Sequence, residues 1–335
     1  MNRILIIRLD GLGDTLLSLP LLDGLKRRWP DCEITYLASP RGASVFDADP
    51  RVSHLWVQEL AALSRAQKRE LGERIRAAGF DLVFCLNEKF WPAVWTYMSN
   101  ATVRVGFDPG WSQLPKTLLR RLTLTHRLPA PNDPAQASVH EVERYAALAG
   151  LAGCPDAAGP MHLIVTSAAR TWAATALAGL MPDPAAPLIG LHLSAKWGSE
   201  SWGDVTCREV ARALLDRFPQ ARLAVTAGPG EDRFFAEAAS LLPVGRFQLF
   251  AGLELGQWAA LIARCRVLVS MDTGAVHLAA AVGMPVAVVF PELNFVHASS
   301  RWSPWQVPHR ILRRPAPASR NNFYAAIGAA VEELL

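Results

Sequence analysis

The chain is poor in cysteine, nearly balanced in charge and without a long unbroken apolar helix, and each shortage removes a class of protein. Its five cysteines, Cys32, Cys85, Cys154, Cys207 and Cys265, stand far apart and form no C-x-x-C pair or Cys/His cluster. Disulfide frameworks and metal sites need closer groupings, so buried thiols in a reducing compartment and no metal centre are expected. Lys and Arg number 34 against 30 Asp and Glu, a formal charge of +4. With basic residues scattered rather than blocked, that excess predicts no nucleic-acid partner, while an anionic ligand or an anionic membrane nearby stays compatible. The first apolar run, residues 4–7, is shorter than the core of a secretory signal, so a cytoplasmic location is expected. An uncharged stretch of 19 residues runs from Thr273 to Pro291. Gly283-Met284-Pro285 divides it into a short helix and a short strand, which favours a buried core pair over a membrane span.

What is present is material for large cores. A length of 335 residues with 51% hydrophobic side chains suggests two domains of about 150 residues each. Residues 4–7 read as a strand that ends at Gly11 and Gly13, followed by Leu16, Leu17, Leu19, Leu22 and Leu25 at helical spacing. Further strands are expected at 34–37, 54–57, 82–86, 103–107 and 162–165, with clear helices at 60–78 and 140–152. A segment rich in proline and glycine, 179–187, reads as a boundary, after which the rhythm restarts. Strands are expected at 188–191, 221–226, 247–250, 267–270 and 286–290, and helices near 205–218, 232–241, 255–262 and 275–282. Strands alternating with helices predict parallel sheets covered on both faces, hence two doubly wound α/β domains sharing one cleft. The expected division is 1–180, 187–320 and a last helix within 321–335 that packs on either domain, the first being favoured.

Four turns carry chemistry. The first is Arg8-Leu-Asp-Gly11-Leu-Gly13-Asp14, where glycines allow close backbone approach and helix-start amides attract polar oxygens. It lacks the third glycine of a dinucleotide fingerprint and the Gly-Lys-Ser/Thr of a P-loop. Asp14 reads either as a helix cap or as a carboxylate at the carboxyl edge of a parallel sheet, placed as a general base. The second turn, Asp272-Thr273-Gly274, offers a carboxylate, a hydroxyl and backbone amides to a sugar or phosphate, with capping as the competing explanation. His277 follows one helical turn later and is placed to join the same site or the core. The third, His192-Leu-Ser194-Ala-Lys196-Trp197, puts a hydroxyl and an ammonium just past a strand, where they suit phosphate oxygens. The fourth, Thr226-Ala-Gly228-Pro-Gly230-Glu231, places a carboxylate for a ribose, a base or a cap.

In order and spacing over most of the chain, these segments resemble the bacterial heptosyltransferases of glycosyltransferase family 9. The resemblance rests on the opening Ile-Leu-Ile-Ile-Arg8 with Gly-Leu-Gly-Asp14, Leu-Lys-Arg-Arg-Trp-Pro30, His140-x-x-x-Arg144-Tyr145, Gly190-Leu-His192, Ala227-Gly-Pro-Gly-Glu231 and Asp272-Thr-Gly-Ala-Val-His277. It implies a GT-B fold of two Rossmann-like doubly wound domains facing a cleft, the first binding acceptor and the second nucleotide sugar. It implies inverting, metal-independent transfer of heptose from ADP-heptose to a lipopolysaccharide-core or related glycolipid, without a cofactor and beside the inner membrane. Asp14 matches the family's general base, with Arg8, Gly11 and Gly13 on the acceptor side. Ser194, Lys196, Glu231, Asp272, Thr273, Gly274 and His277 fall on the donor side.

Two departures fall in the donor-phosphate region. The family's Lys-x-Trp-Pro is here Glu200-Ser201-Trp202-Gly203, which leaves either Lys196 as a substitute cation or a changed loop or donor, and the turn after His192 lacks the usual Pro-Gly. They leave open a different nucleotide-sugar donor, or a sugar- and nucleotide-binding homologue with weak or lost catalysis. Residues 85–135, rich in aromatic and basic side chains, are the expected acceptor or membrane contacts.

Overall fold

The computed structural model describes all residues except 111–112, 130–137, 182, 184, 200–201, 203–205, 229 and 232–241. The expected helix at 232–241 therefore lies outside the described residues. The chain divides into two units, Met1–Ile164 and Val165–Leu335.

In the first unit, β1 (Arg3–Arg8), β2 (Glu33–Ala38), β3 (His54–Val57), β4 (Leu82–Cys85), β5 (Val103–Asp108) and β6 (His126–Pro129) form one sheet in the order β3-β2-β1-β4-β5-β6. Every neighbouring pair is parallel. The central strands are apolar throughout because helices cover both faces: Ile4, Leu5, Ile6 and Ile7 are all fully buried.

The expected first helix is two, α1 (Leu12–Leu16) and α2 (Leu19–Arg28), with Pro20 in the opening turn of the second. Proline has no N–H to give, and it fits a helix only where that donor would be orphaned. The expected helix 60–78 begins later, as α4 (Arg65–Ala78), with α3 being the short Pro40–Ala43. A reciprocal capping box sets its start: Ser64 Oγ accepts from the Gln67 amide, and Gln67 Oε1 accepts from the Ser64 amide. Gly79, at φ +66°, ends it in the left-handed conformation. The remaining helices of this unit are α5 (Phe90–Met98), α6 (Leu114–Thr123) and α7 (Glu141–Leu151).

The second unit repeats the plan. Strands β7 (Leu188–Leu193), β8 (Arg222–Ala227), β9 (Phe247–Ala251), β10 (Val267–Met271), β11 (Val286–Phe290) and β12 (His309–Arg313) pair in parallel in the order β9-β8-β7-β10-β11-β12. Counted along each unit, both sheets have the 3-2-1-4-5-6 order of the Rossmann fold, with a topological switch point between first and fourth strands.

The division at 164/165 precedes the proline-rich segment because α8 (Ser167–Leu177) packs Ala169 and Ala173 against Ala260 of α10 (Leu255–Ile262). Residues 162–165, expected as a strand, have no regular secondary structure and lead from the first unit into the second. The last helix, α13 (Arg320–Glu332), follows α11 (Gly274–Ala281) and α12 (Phe295–Trp302) and belongs to the second unit, not the first. Its Phe323, Tyr324, Ile327 and Val331 join the core with Val210 and Leu214 of α9 (Thr206–Arg217), and Tyr324 Oη donates to Glu209 at 2.6 Å. The uncharged stretch resolves into α11 and β11, as its central Gly-Met-Pro implies. Among the described residues no helix is long and apolar enough to cross a membrane.

Candidate active site

Rossmann sheets bind ligands beyond the carboxyl ends of the strands flanking the switch point. In the first unit those are β1 and β4, and their following loops are tied by polar contacts. Arg8, the last residue of β1, is buried; its Nη1 donates to Leu86 O at 2.6 Å and its Nη2 to Asp14 Oδ1 at 2.5 Å. Asp10 accepts from Asn87 Nδ2 at 2.5 Å and Lys89 Nζ at 2.9 Å, and the Leu9 amide donates to Asn87 Oδ1 at 2.7 Å. Burial pushes the Arg8 pKa down, but Tyr145, Asp14, Asp10 and Glu141 outweigh it and raise it well above the usual arginine value. Arg8 is thus a fixed cation that orients Asp14.

Capping does not explain Asp14. The α1 N-cap is Gly11, without a side-chain cap bond, and Asp14 is the third residue of the helix with a carboxylate about one-third exposed. One oxygen is held by Arg8, leaving the group anchored yet accessible. A Cβ at Gly11 would lie 3.9 Å from Asp14 Oδ2, an ordinary contact, so glycine here keeps the approach to the carboxylate open. Asn87, Lys89 and Tyr145 were not singled out as site residues. The first two follow β4 immediately, and that position beside the switch point is the signal that identifies them.

In the second unit the flanking strands are β7 and β10. Ser194 and Lys196 follow β7, Glu231 lies in the turn after β8, and Asp272, Thr273 and Gly274 follow β10. Lys196 Nζ donates to the Asp272 backbone carbonyl and, at 3.4 Å, to its Oδ2. Burial raises the Asp272 pKa, and the Lys196 charge and hydrogen bond oppose the rise. Glu231 Oε1 accepts from the Ala195 amide at 3.1 Å. Ser194 Oγ is buried without a hydrogen-bond partner among the described residues, an acceptor-donor group left for a ligand or water.

Thr273 caps α11, its Oγ1 accepting from the Ala275 amide at 3.3 Å and sharing a hydrogen bond with Ser270 Oγ at 3.2 Å. His277 is buried in the first turn of that helix. The structure therefore joins Lys196 to Asp272 and Glu231 to the same β7 loop. Thr273 and Gly274 adjoin this group, whereas His277 sits in the helix behind it.

Sequence reasoning missed Arg314. Fully buried after β12, it donates from Nη1 to Lys196 O at 2.7 Å and from Nη2 to Ser199 Oγ at 2.9 Å, fixing the turn that carries Lys196. No local motif marks it, because its partners lie more than a hundred residues earlier. Of the segment replacing Lys-x-Trp-Pro, Glu200, Ser201 and Gly203 lie outside the described residues. Trp202 is buried against Phe323, ring centroids 5.1 Å apart.

Two Rossmann-like units, each with a polar cluster at its switch point, define a protein of the GT-B class. The family model of glycosyltransferase family 9 (heptosyltransferase) matches residues 68–323. The chain is 26% identical over 304 residues to lipopolysaccharide heptosyltransferase 1 of Pseudomonas aeruginosa, covering 87% of this chain and 79% of that one. A family 9 glycosyl transferase from Veillonella parvula superposes with a TM-score of 0.81 at 19% identity, over 99% of this chain and 97% of the other. An E. coli heptosyltransferase solved with ADP gives 0.73 at 20% identity, over 99% and 100%. This chain belongs to glycosyltransferase family 9, whose common activity is glycosyl transfer from a nucleotide sugar to an acceptor.

Proposed function

We propose that this protein is an inverting glycosyltransferase that moves a heptose from ADP-heptose onto a lipopolysaccharide-core or related glycolipid acceptor at the cytoplasmic face of the inner membrane. The observation that carries the reading is Asp14, an accessible carboxylate at the β1 switch point, held on one side by the buried Arg8. The relatives' printed activities supply the sugar and acceptor class.

The chemistry follows from the groups present. Asp14 takes the proton from the acceptor hydroxyl as that oxygen attacks the anomeric carbon opposite the leaving group. The bond from the anomeric carbon to the diphosphate oxygen breaks, its electron pair leaves with the nucleoside diphosphate, and configuration inverts. Lys196 and the amides at the start of α11 stabilise the charge that grows on the diphosphate. Ser194 adds a hydroxyl to the phosphates, and Glu231 accepts from the ribose. The Asp272-Thr273-Gly274 turn borders the diphosphate and sugar, with His277 behind it. Gly11 and Gly13 leave room for the acceptor. No step in this scheme calls for a metal or a cofactor.

A second reading is favoured by Glu200 standing where the family's phosphate-binding lysine is expected. It is a transferase with another nucleotide sugar, or a homologue that binds one without turning it over. A donor panel separates the readings: ADP-, GDP-, UDP- and dTDP-sugars with a truncated glycolipid acceptor, scored by release of nucleoside diphosphate. Release from ADP-heptose alone supports the proposal. Release from another donor overturns its nucleotide, and no release from any donor overturns catalysis.

A further inference from the structure

Helix α6 is built inside out. Its buried face carries Thr117, Arg120 and Thr123, whereas Leu114, Leu118 and Leu122 are 47%, 49% and 74% exposed. Spacing of four residues puts those leucines in one stripe along the helix. The inward polar groups are satisfied: Thr117 Oγ1 donates to Gly110 O, and Arg120 donates to Cys85 Sγ at 2.9 Å, to Asn87 O, and to Lys89 O at 3.3 Å. Helix α6 is thus fastened through polar bonds to the loop that also holds Asp10, and its apolar side has been turned outward. The neighbouring α5 adds exposed Phe90 and Tyr97.

Charge says what this surface meets. From Pro109 to Asn132 the sequence holds Lys116, Arg120, Arg121 and Arg127 and no acidic residue. Asp108, just before, is shared between Arg121 at 3.1 Å and Arg127 at 3.9 Å, and Lys116 bonds only the neutral Gln113 at 2.8 Å among the described contacts. An apolar stripe bordered by cations suits the boundary between anionic headgroups and acyl chains.

We infer that α6 is a membrane-docking helix that inserts Leu114, Leu118 and Leu122 into an anionic lipid surface while Lys116, Arg121 and Arg127 meet its headgroups. Helix α6 follows β5, and α5 follows β4, so Phe90 and Leu114 begin at the same carboxyl edge of the sheet as Asp14. Docking would bring that edge to the lipid. The choice of a lipid surface over a second copy of the chain rests on the glycolipid acceptor proposed above.

The test is co-sedimentation of the full chain with vesicles of phosphatidylcholine, with and without about one-third phosphatidylglycerol, in the absence of donor and acceptor. The chain is expected on the anionic vesicles, and released by raised salt. The double variant L118Q/L122Q is expected to bind about ten-fold more weakly or worse, with unchanged turnover of a detergent-dispersed acceptor. Equal binding by variant and parent, or no binding by the parent, overturns the inference. So does a parent dimer that L118Q/L122Q splits in the ultracentrifuge, since the stripe is then a protein interface. Vesicle binding without turnover of any donor overturns the acceptor reading alone; turnover of the dispersed acceptor without vesicle binding overturns the docking surface alone.

Discussion

The Lys196 ammonium ties itself to both the backbone carbonyl and the carboxylate of Asp272, 76 residues later, and so bridges the loops after β7 and β10 across the second switch point. The half-exposed Lys196 ammonium is the group to which the proposed function assigns the diphosphate, and Arg314 bonds the turn that carries it. Lys196→Ala is expected to weaken binding of nucleoside diphosphate about ten-fold, as lost charge-assisted bonds do. Calorimetric titration checks it, and unchanged affinity removes Lys196 from the donor site. The same variant has a signed pH dependence. The ion-pair part of the Lys196 contribution needs an ionised Asp272, so that part exists above the raised folded pKa of Asp272 and is lost as pH falls through it, while the bond to the backbone carbonyl stays. With Lys196 half exposed, the stability cost is about 1 kcal/mol or less near neutrality and smaller in acid.

Asp14→Asn preserves shape and removes the proposed base. Turnover is expected to fall about 100-fold or more, with affinity for nucleoside diphosphate unchanged, because Asp14 belongs to the first unit and the residues proposed to hold the nucleotide belong to the second. Steady-state kinetics and a binding titration on one preparation decide it. A full rate in the variant sinks the assignment of Asp14 as base.

The parts of this arrangement that were readable in the sequence are those with local signals. Ile4 to Ile7 announce a central strand because both faces of the sheet are covered, and turn glycines mark the loops that follow such strands. Strands β6 and β12 escaped notice for the opposite reason. His126, Arg127, Arg310 and Arg313 lie on edges where side chains stay in water, so no apolar run forms. Asp14 was legible as a carboxylate at a strand end, only six residues after Arg8, but the bonds of Arg8 to Leu86 and of Asn87 to Asp10 are products of strand order. Arg314 was invisible because its partners are distant in sequence. The domain boundary misled in a different way: the proline and glycine content of 179–187 reads as a linker, whereas the division falls earlier, at 164/165, because the alanines of α8 pack on α10.

Gly228 has a specific steric duty. A Cβ there would come within 2.5 Å of Glu231 Oε2, the far end of a side chain able to move aside. Gly228→Ala is therefore expected to leave the melting temperature nearly unchanged and to displace the carboxylate from the Ala195 amide. If Glu231 holds the ribose, affinity for nucleoside diphosphate drops about ten-fold, while affinity for inorganic pyrophosphate stays the same. Equal losses for both ligands would show that the loop moved as a whole, and no loss for either would take Glu231 out of the site.

His192 gives the second unit an acid limit. At the end of β7 it is buried against Trp258, ring centroids 4.9 Å apart, and shares a hydrogen bond of 3.0 Å with Thr226 Oγ1. Burial lowers its pKa from 6.5 to about 4. Between those values the unfolded chain binds a proton that the folded chain refuses, so stability is fully present above about pH 6.5 and declines as pH falls toward about 4. A depression of that size corresponds to about 3 kcal/mol. Carboxylates titrate in part of the same range, so the informative quantity is the difference between the parent and His192→Gln, from urea denaturation at several pH values. Its slope isolates the imidazole. The parent's advantage is expected to shrink by roughly 2–3 kcal/mol between neutral pH and pH 4. An advantage that stays constant across that range would mean that the imidazole takes up its proton without leaving the folded state.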